Sequence, residues 1–262
     1  MRVLRPWGRR TALALLAAPG LLRAAEPGPF RLDSAVPVHG HRPAGWRVGG
    51  PVVLVLHGAG RDADRYRDAW APQAERHGIL VACPEFGRAD FPGEAGYNLN
   101  PAIHPMLDAV ADAVQEGARA DYGLYGHSAG AQVAHRCLLL TGAPRASRVV
   151  AANAGWYTFP DPATPFPHGL GDVASQLPAA FAKPTTILLG DADTDPRHPQ
   201  LRRDAPTDRQ GDNRLARGQA FFAACRAQAE RAGLPFAWHL ATVPGVGHSN
   251  AGMAPAAALH LT

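Results

Sequence analysis

The pentapeptide Gly126-His127-Ser128-Ala129-Gly130 sets one serine between two glycines, after a short apolar run and before an Ala/Leu/Val-rich one. Strand, tight turn and helix in that order would lift the serine hydroxyl clear of a sheet edge. A hydroxyl is a poor nucleophile until a base takes its proton and a carboxylate holds that base in the right tautomer. Later stretches supply both groups. Gly190-Asp191-Ala192-Asp193 carries the acid, and Pro244-Gly245-Val246-Gly247-His248 carries the base. Asp193 is the preferred acid because three residues past Gly190 leave room to turn back, with Asp195 next and Asp191 also on the same stretch. His248 stands out among 12 histidines because it follows the last apolar run through a glycine-rich turn. His127 must point away from its neighbour Ser128 and is assigned to packing, and His57 to bracing its own loop. An oxyanion would need two aimed N–H groups. Ala129, directly after the serine, supplies one. Ala59 in His57-Gly58-Ala59-Gly60 supplies the other, with Gly60 as the alternative.

These groups must be held by regular elements. Val52–Leu56 is an unbroken β-branched and leucine run, the pattern of a parallel strand covered on both faces. Residues 79–83, 122–125, 148–153, 185–189 and 236–243 read as further strands, and residues 30–38 as one edge strand. Helical spacing covers residues 61–77, 106–118, 129–140 and 215–232, and an Ala-rich helix closes the chain. Strands alternating with helices predict an α/β fold, doubly wound, with a mostly parallel sheet and helices on both faces. Ser128, Asp193 and His248 each follow a strand, so all three fall at the carboxyl edge, where open parallel sheets bind ligands. Residues 85–105 form a long loop, and residues 197–211 a polar one. Residues 155–184 hold five aromatics among six prolines. They read as a cap or rim in which Trp156, Tyr157 and Phe159 line an apolar pocket, some of these aromatics filling core gaps instead.

Composition limits the rest. The chain has 262 residues, 46% hydrophobic and 18% charged, which suits one globular domain over residues 26–262. Its net charge of +4 comes from residues 1–25, which hold Arg2, Arg5, Arg9, Arg10 and Arg23 and no acid; without them 21 basic residues face 22 acidic ones. Near-neutrality gives no electrostatic case for nucleic acid or an anionic membrane. Lys183 is the only lysine, which reads as compositional bias. Residues 1–25 have the basic start, short apolar core and small-residue exit of a signal peptide, and Arg9-Arg10 suggests the twin-arginine route. Export to the periplasm or beyond is expected, without stable membrane insertion. Cys83, Cys137 and Cys225 cannot all pair in one chain. Burial of Cys83 and Cys137, and a Cys137–Cys225 bridge, are both compatible with the spacing. No CxxC pattern argues for a metal, and no cofactor is expected.

Over residues 50–262 the chain resembles the α/β-hydrolase superfamily, on the segments Leu56-His57-Gly58-Ala59-Gly60, Gly126-His127-Ser128-Ala129-Gly130, Gly190-Asp191-Ala192-Asp193 and Gly247-His248. Within it, the chain is similar to secreted esterases grouped with polyhydroxybutyrate depolymerases and feruloyl esterases. It departs from them at Ala59, where those enzymes often carry cysteine. The resemblance implies the α/β-hydrolase fold and a Ser128–His248–Asp193 triad. It implies a serine esterase that works through an acyl-enzyme on a small-molecule or oligomeric carboxylic ester. The alternatives are a peptidase or amidase on the same fold, and a non-catalytic binding protein.

Overall fold

The computed structural model describes residues 26–118 and 120–262, so the expected signal peptide lies outside the described residues. Within them the strands are β1 (Gly28–Asp33), β2 (Pro37–Arg42), β3 (Val52–Leu56), β4 (Leu80–Pro84), β5 (Tyr122–His127), β6 (Ala146–Ala152), β7 (Thr185–Gly190) and β8 (Trp238–Val243). They form one eight-stranded sheet in the order β1-β2-β4-β3-β5-β6-β7-β8. β2 is antiparallel to both β1 and β4, and every other pairing is parallel. The fold is the expected α/β one with a mostly parallel sheet.

Three elements differ from the sequence reading. The single edge strand over residues 30–38 is two strands, because the chain turns at residues 34–36, where Ser34 N–H donates to Val36 O at 3.2 Å. The hairpin's alternating half-buried pattern fits an antiparallel edge with one wet face. The strand expected over residues 236–243 is the shorter β8, which closes the opposite edge with only Trp238 buried. The two long loops contain the short helices α2 (Gly93–Gly96) and α6 (Ala205–Asp208), the latter closed by a reciprocal Asp204/Thr207 capping box.

The alternation of side chains along each parallel strand divides the interior into two cores. Val53, Val55, Val81, Tyr125, Val150 and Leu188 face one side. There α1 (Ala63–His77) and α8 (Asn250–Leu259) cover them with Trp70 and Met253. Leu54, Leu56, Leu124, Val149, Ile187 and Leu189 face the other side. There α3 (Ile103–Val114), α4 (Ala129–Thr141), α5 (Leu177–Ala182) and α7 (Arg214–Ala232) cover them. Burying one such Val or Leu side chain contributes roughly 1.5–3 kcal/mol, so both faces pin the register of the strands whose ends carry the site. No helix among the described residues is long and apolar enough to cross a membrane.

The cysteines are three buried free thiols, so the Cys137–Cys225 bridge is not formed. Cys137 Sγ instead lies 3.6 Å from Thr141 Oγ1 within its own helix, and burial pushes this thiol up to about 12.

Candidate active site

Ser128 sits where β5 becomes α4, at φ 57° and ψ −116°. Positive φ on a residue with a Cβ costs on the order of 1–3 kcal/mol and persists only where the surroundings enforce it. Here they do. Ser128 N–H donates to Ala152 O at 3.0 Å, tying the turn to β6. The two flanking glycines let strand and helix nearly touch: a Cβ on Gly126 would lie 2.2 Å from Gly130 O, and one on Gly130 2.2 Å from Leu56 O.

Three side chains then fall on one hydrogen-bonded line. Ser128 Oγ lies 3.0 Å from His248 Nε2, and His248 Nδ1 lies 2.7 Å from Asp193 Oδ2. With Nδ1–H donated to the carboxylate, Nε2 is left to accept from the serine hydroxyl. The loop aspartates separate cleanly. Asp193 is buried and meets His248. Asp195 accepts from Arg197 N–H at 2.9 Å and Asp191 from Gly245 N–H at 2.7 Å, each bracing a loop. Burial, above all, holds His248 below the ordinary histidine range; the Asp193 hydrogen bond opposes this and the Arg214 charge adds to it. The arrangement can take a proton from the serine at neutral pH and return it.

His127 is buried and packs directly behind the site. Its ring lies 4.7 Å from that of His248, and its Nδ1 shares a 3.0 Å hydrogen bond with the Tyr66 hydroxyl. Burial first, then the nearby His248 and Arg214 charges, keep it neutral, so it is an uncharged wall behind the base. His57 does brace its loop. Its Nε2 accepts from Phe86 N–H and its Nδ1 donates to Gly58 O, both at 3.0 Å, and burial lowers it to about 4. Tyr97 adds a hydroxyl donated to His57 O at 2.8 Å. The N–H groups of Ala59 and Ala129 have no backbone acceptor among the described residues, and both residues line the same cleft as Ser128. Gly60 does not line it.

Two buried residues of this framework went unread in the sequence. Asn153, at φ 48°, accepts from Gly190 N–H at 2.8 Å and donates to Gly247 O at 3.2 Å. It thereby fastens the loops that carry Asp193 and His248 to the end of β6. A polar residue directly after a buried strand was the only available signal. The other is Arg214, whose Nη1 donates to Asp193 Oδ1 at 3.3 Å.

The cleft over Ser128 encloses about 210 Å³. It is not the apolar rim expected from residues 155–184. Trp156 lines it, but Tyr157 and Phe159 turn into the core, where both pack on Phe221 at ring distances of 4.4 and 5.7 Å. The strand and helix faces beneath the rim leave apolar space there, and the aromatics fill it. The rest of the lining includes the polar side chains of Arg61, Arg88, Arg202, Glu94, Asn98 and Gln132. Arg202 is paired with Glu94 and Asp204. Arg61 donates to the carbonyls of Phe86, Phe91 and Gly93 and covers the Tyr97 ring at 4.1 Å. Arg88 is exposed and donates to Ala59 O at 2.7 Å. Neither Arg61 nor Arg88 forms an ion pair among the described residues. Behind Trp156, at 4.2 Å from its ring, lies the buried Arg136, which burial lowers to about 9. The cleft is therefore positively charged, with one ion-paired arginine, two free of carboxylates, and a fourth behind its wall.

No protein-family model and no curated protein matches the chain. Solved structures do. The chain is similar to poly(aspartic acid) hydrolase-1 from Sphingomonas sp. KT-1, at 39% identity and a TM-score of 0.84, over 90% of this chain and 98% of that one. It is similar to LpqC, a poly(3-hydroxybutyrate) depolymerase from Bordetella parapertussis, at 33% identity and a TM-score of 0.82, over 89% and 88% of the two chains. The siderophore hydrolase EstB from Aspergillus nidulans shares the fold alone, at 14% identity and a TM-score of 0.53 over 93% and 97%.

Proposed function

The chain belongs to the α/β-hydrolase superfamily and is a hydrolase, and from that premise we propose that it cleaves carboxylic esters through an acyl-enzyme on Ser128. The observation that carries this reading is the unbroken line from Ser128 Oγ through His248 to the buried Asp193 at the mouth of a cleft. Ser128 Oγ attacks the acyl carbon as His248 Nε2 takes its proton. Asp193 orients the imidazole and stabilises the imidazolium that forms. The N–H groups of Ala59 and Ala129 hold the oxyanion. His248 then returns the proton to the departing alkoxide, which leaves as the alcohol. Water, deprotonated by His248, attacks the acyl-enzyme; collapse frees the acid, and the proton goes back to Ser128 Oγ. Export fits an ester met outside the cytoplasm, on the strength of the basic and apolar pattern of residues 1–25.

The arginines of the cleft favour an acyl group that carries its own carboxylate. They also support a second reading, amide hydrolysis on an acidic chain, because a 39% identical relative is a poly(aspartic acid) hydrolase. A matched pair of esters tests the charge preference. Mono-p-nitrophenyl succinate is expected to exceed p-nitrophenyl acetate in kcat/KM by about tenfold, equivalent to ~1.4 kcal/mol. Arg88→Gln should remove most of that ratio. The ratio is the readout because Arg88 also supports the Ala59 loop, and a loop effect would lower both rates together. Equal rates on the two esters in the wild type would refute the charge preference. New amino groups released from poly(aspartic acid), with both esters untouched, would replace the ester reading by the amide one.

A further inference from the structure

Both oxygens of Asp193 are engaged. Oδ2 faces His248 Nδ1 at 2.7 Å, and Oδ1 accepts from Arg214 Nη1 at 3.3 Å. Arg214 and Asp193 are both buried, at 1% and 4% side-chain exposure, so neither charge is screened by solvent. The backbone holding this pair is fixed from two sides. Arg214 opens α7, whose cap Asn213 accepts from Ala216 N–H at 2.9 Å, and Leu215 N–H donates to Asp193 O at 3.3 Å. Arg214 does not line the cleft. It reaches the chemistry only through Asp193.

We propose that Arg214 is a positioning residue for the reaction proposed above. It clamps one oxygen of Asp193 so that the other faces His248, and its buried charge offsets the charge of Asp193 as His248 experiences it. The charge term follows from the order of the groups. A carboxylate alone beside an imidazole favours the imidazolium, and a fixed cation behind the carboxylate opposes that. His248 keeps its neutral, proton-accepting form to lower pH as a result. Of the other groups around His248, His198 pushes in the same direction as Arg214 but less strongly. His127, on β5, is held neutral. His198, whose ring lies 5.6 Å from that of His248, stands on the loop after β7 with its Nδ1 3.3 Å from Arg214 Nη2. Asp195 acts on Arg214 from the same loop with opposite sign. A guanidinium suits the place because its planar fork can meet Asp193 with one nitrogen and the His198 ring with the next.

The test is the pH dependence of kcat and KM on p-nitrophenyl acetate for wild type, R214Q, R214M and R214K, with thermal unfolding of each. The wild-type acid limb of kcat/KM is expected below the ordinary histidine value of about 6.5. In R214Q and R214M it should rise by about one pH unit, with kcat about tenfold lower and KM within about twofold of wild type. R214K, which keeps the charge but not the fork, should hold the limb within ~0.3 unit and retain more kcat than the neutral variants. A residue that only props the fold would lower Tm and leave the limb in place. An unmoved limb in a folded neutral variant overturns the proposal, as does a full-unit shift in R214K. If neither neutral variant folds, a full-unit shift of the limb in R214K still overturns the proposal. A wild type without turnover would overturn the hydrolase reading and this role together. Turnover with a limb indifferent to Arg214 overturns this role alone.

Discussion

Ser128→Ala is expected to lower kcat on p-nitrophenyl acetate by roughly 10⁴–10⁶-fold while KM stays within a few fold. The size follows from what is lost. Without Oγ there is no atom to carry the acyl group, so one covalent step and the proton transfer coupled to it both vanish. The Ala59 and Ala129 N–H groups and the cleft remain, so binding persists and some rate above that in water remains with it. The fold should be unaffected. Alanine keeps the Cβ, the strained φ of 57° and the N–H donated to Ala152 O. Tm should therefore match wild type within a degree or two. Steady-state kinetics with circular dichroism checks both halves. A variant that stays folded and keeps more than about a tenth of wild-type kcat would place the nucleophile elsewhere.

Gly130→Ala should have the largest effect on stability. Its new Cβ would lie 2.2 Å from Leu56 O, 2.6 Å from Leu56 C and 2.8 Å from His57 O. All three are backbone atoms at the end of β3, in the middle of the sheet, so no side chain can swing aside. The helix must instead lift off the strand. Such overpacking against backbone costs about 3 kcal/mol or more, which for a domain of this size lowers Tm by roughly 6–12 °C. The same displacement separates Ser128 from the His57–Gly60 turn, so activity should fall about a hundredfold at temperatures where the variant is folded. Gly87→Ala is the control, because its Cβ would meet nothing within 4 Å; less than about 0.5 kcal/mol is expected. Differential scanning calorimetry of the two variants makes the comparison. Equal Tm values would refute the close strand–helix approach.

The parts of this molecule that depend on near neighbours were legible in the sequence. The unbroken run Val52–Leu56 has the pattern of a strand covered on both faces, and β3 is buried along its whole length. The order serine, acid, histidine, each after such a run, put the three groups at one sheet edge. Even the choice of Asp193 over Asp195 followed from the room needed to turn back from Gly190. What escaped notice depends on contacts across the fold. Asn153 reaches Gly247, 94 positions away, and Arg214 reaches Asp193 across 21. Neither has a local pattern. Tyr157 and Phe159 looked like pocket aromatics because a proline-rich stretch carries no periodicity to tell inward from outward. Their direction is set by the space around Phe221 on α7. The arginine-rich composition read as bias, yet Arg61, Arg88 and Arg202, brought by three separate loops, converge on the cleft. The expected signal peptide aside, whose residues lie outside those described, the differences lie in edges and loops, where side-chain direction is decided by tertiary packing rather than by the chain's own spacing.

The most direct measurement is covalent labelling with a fluorophosphonate probe, followed by peptide mass mapping, on wild type and Ser128→Ala. The account predicts one adduct per chain, confined to the peptide containing Ser128 and absent from the variant, with labelling that falls as pH drops through the acid limb set by His248. A folded wild type that takes up no probe, or an adduct that maps to another residue, would contradict it.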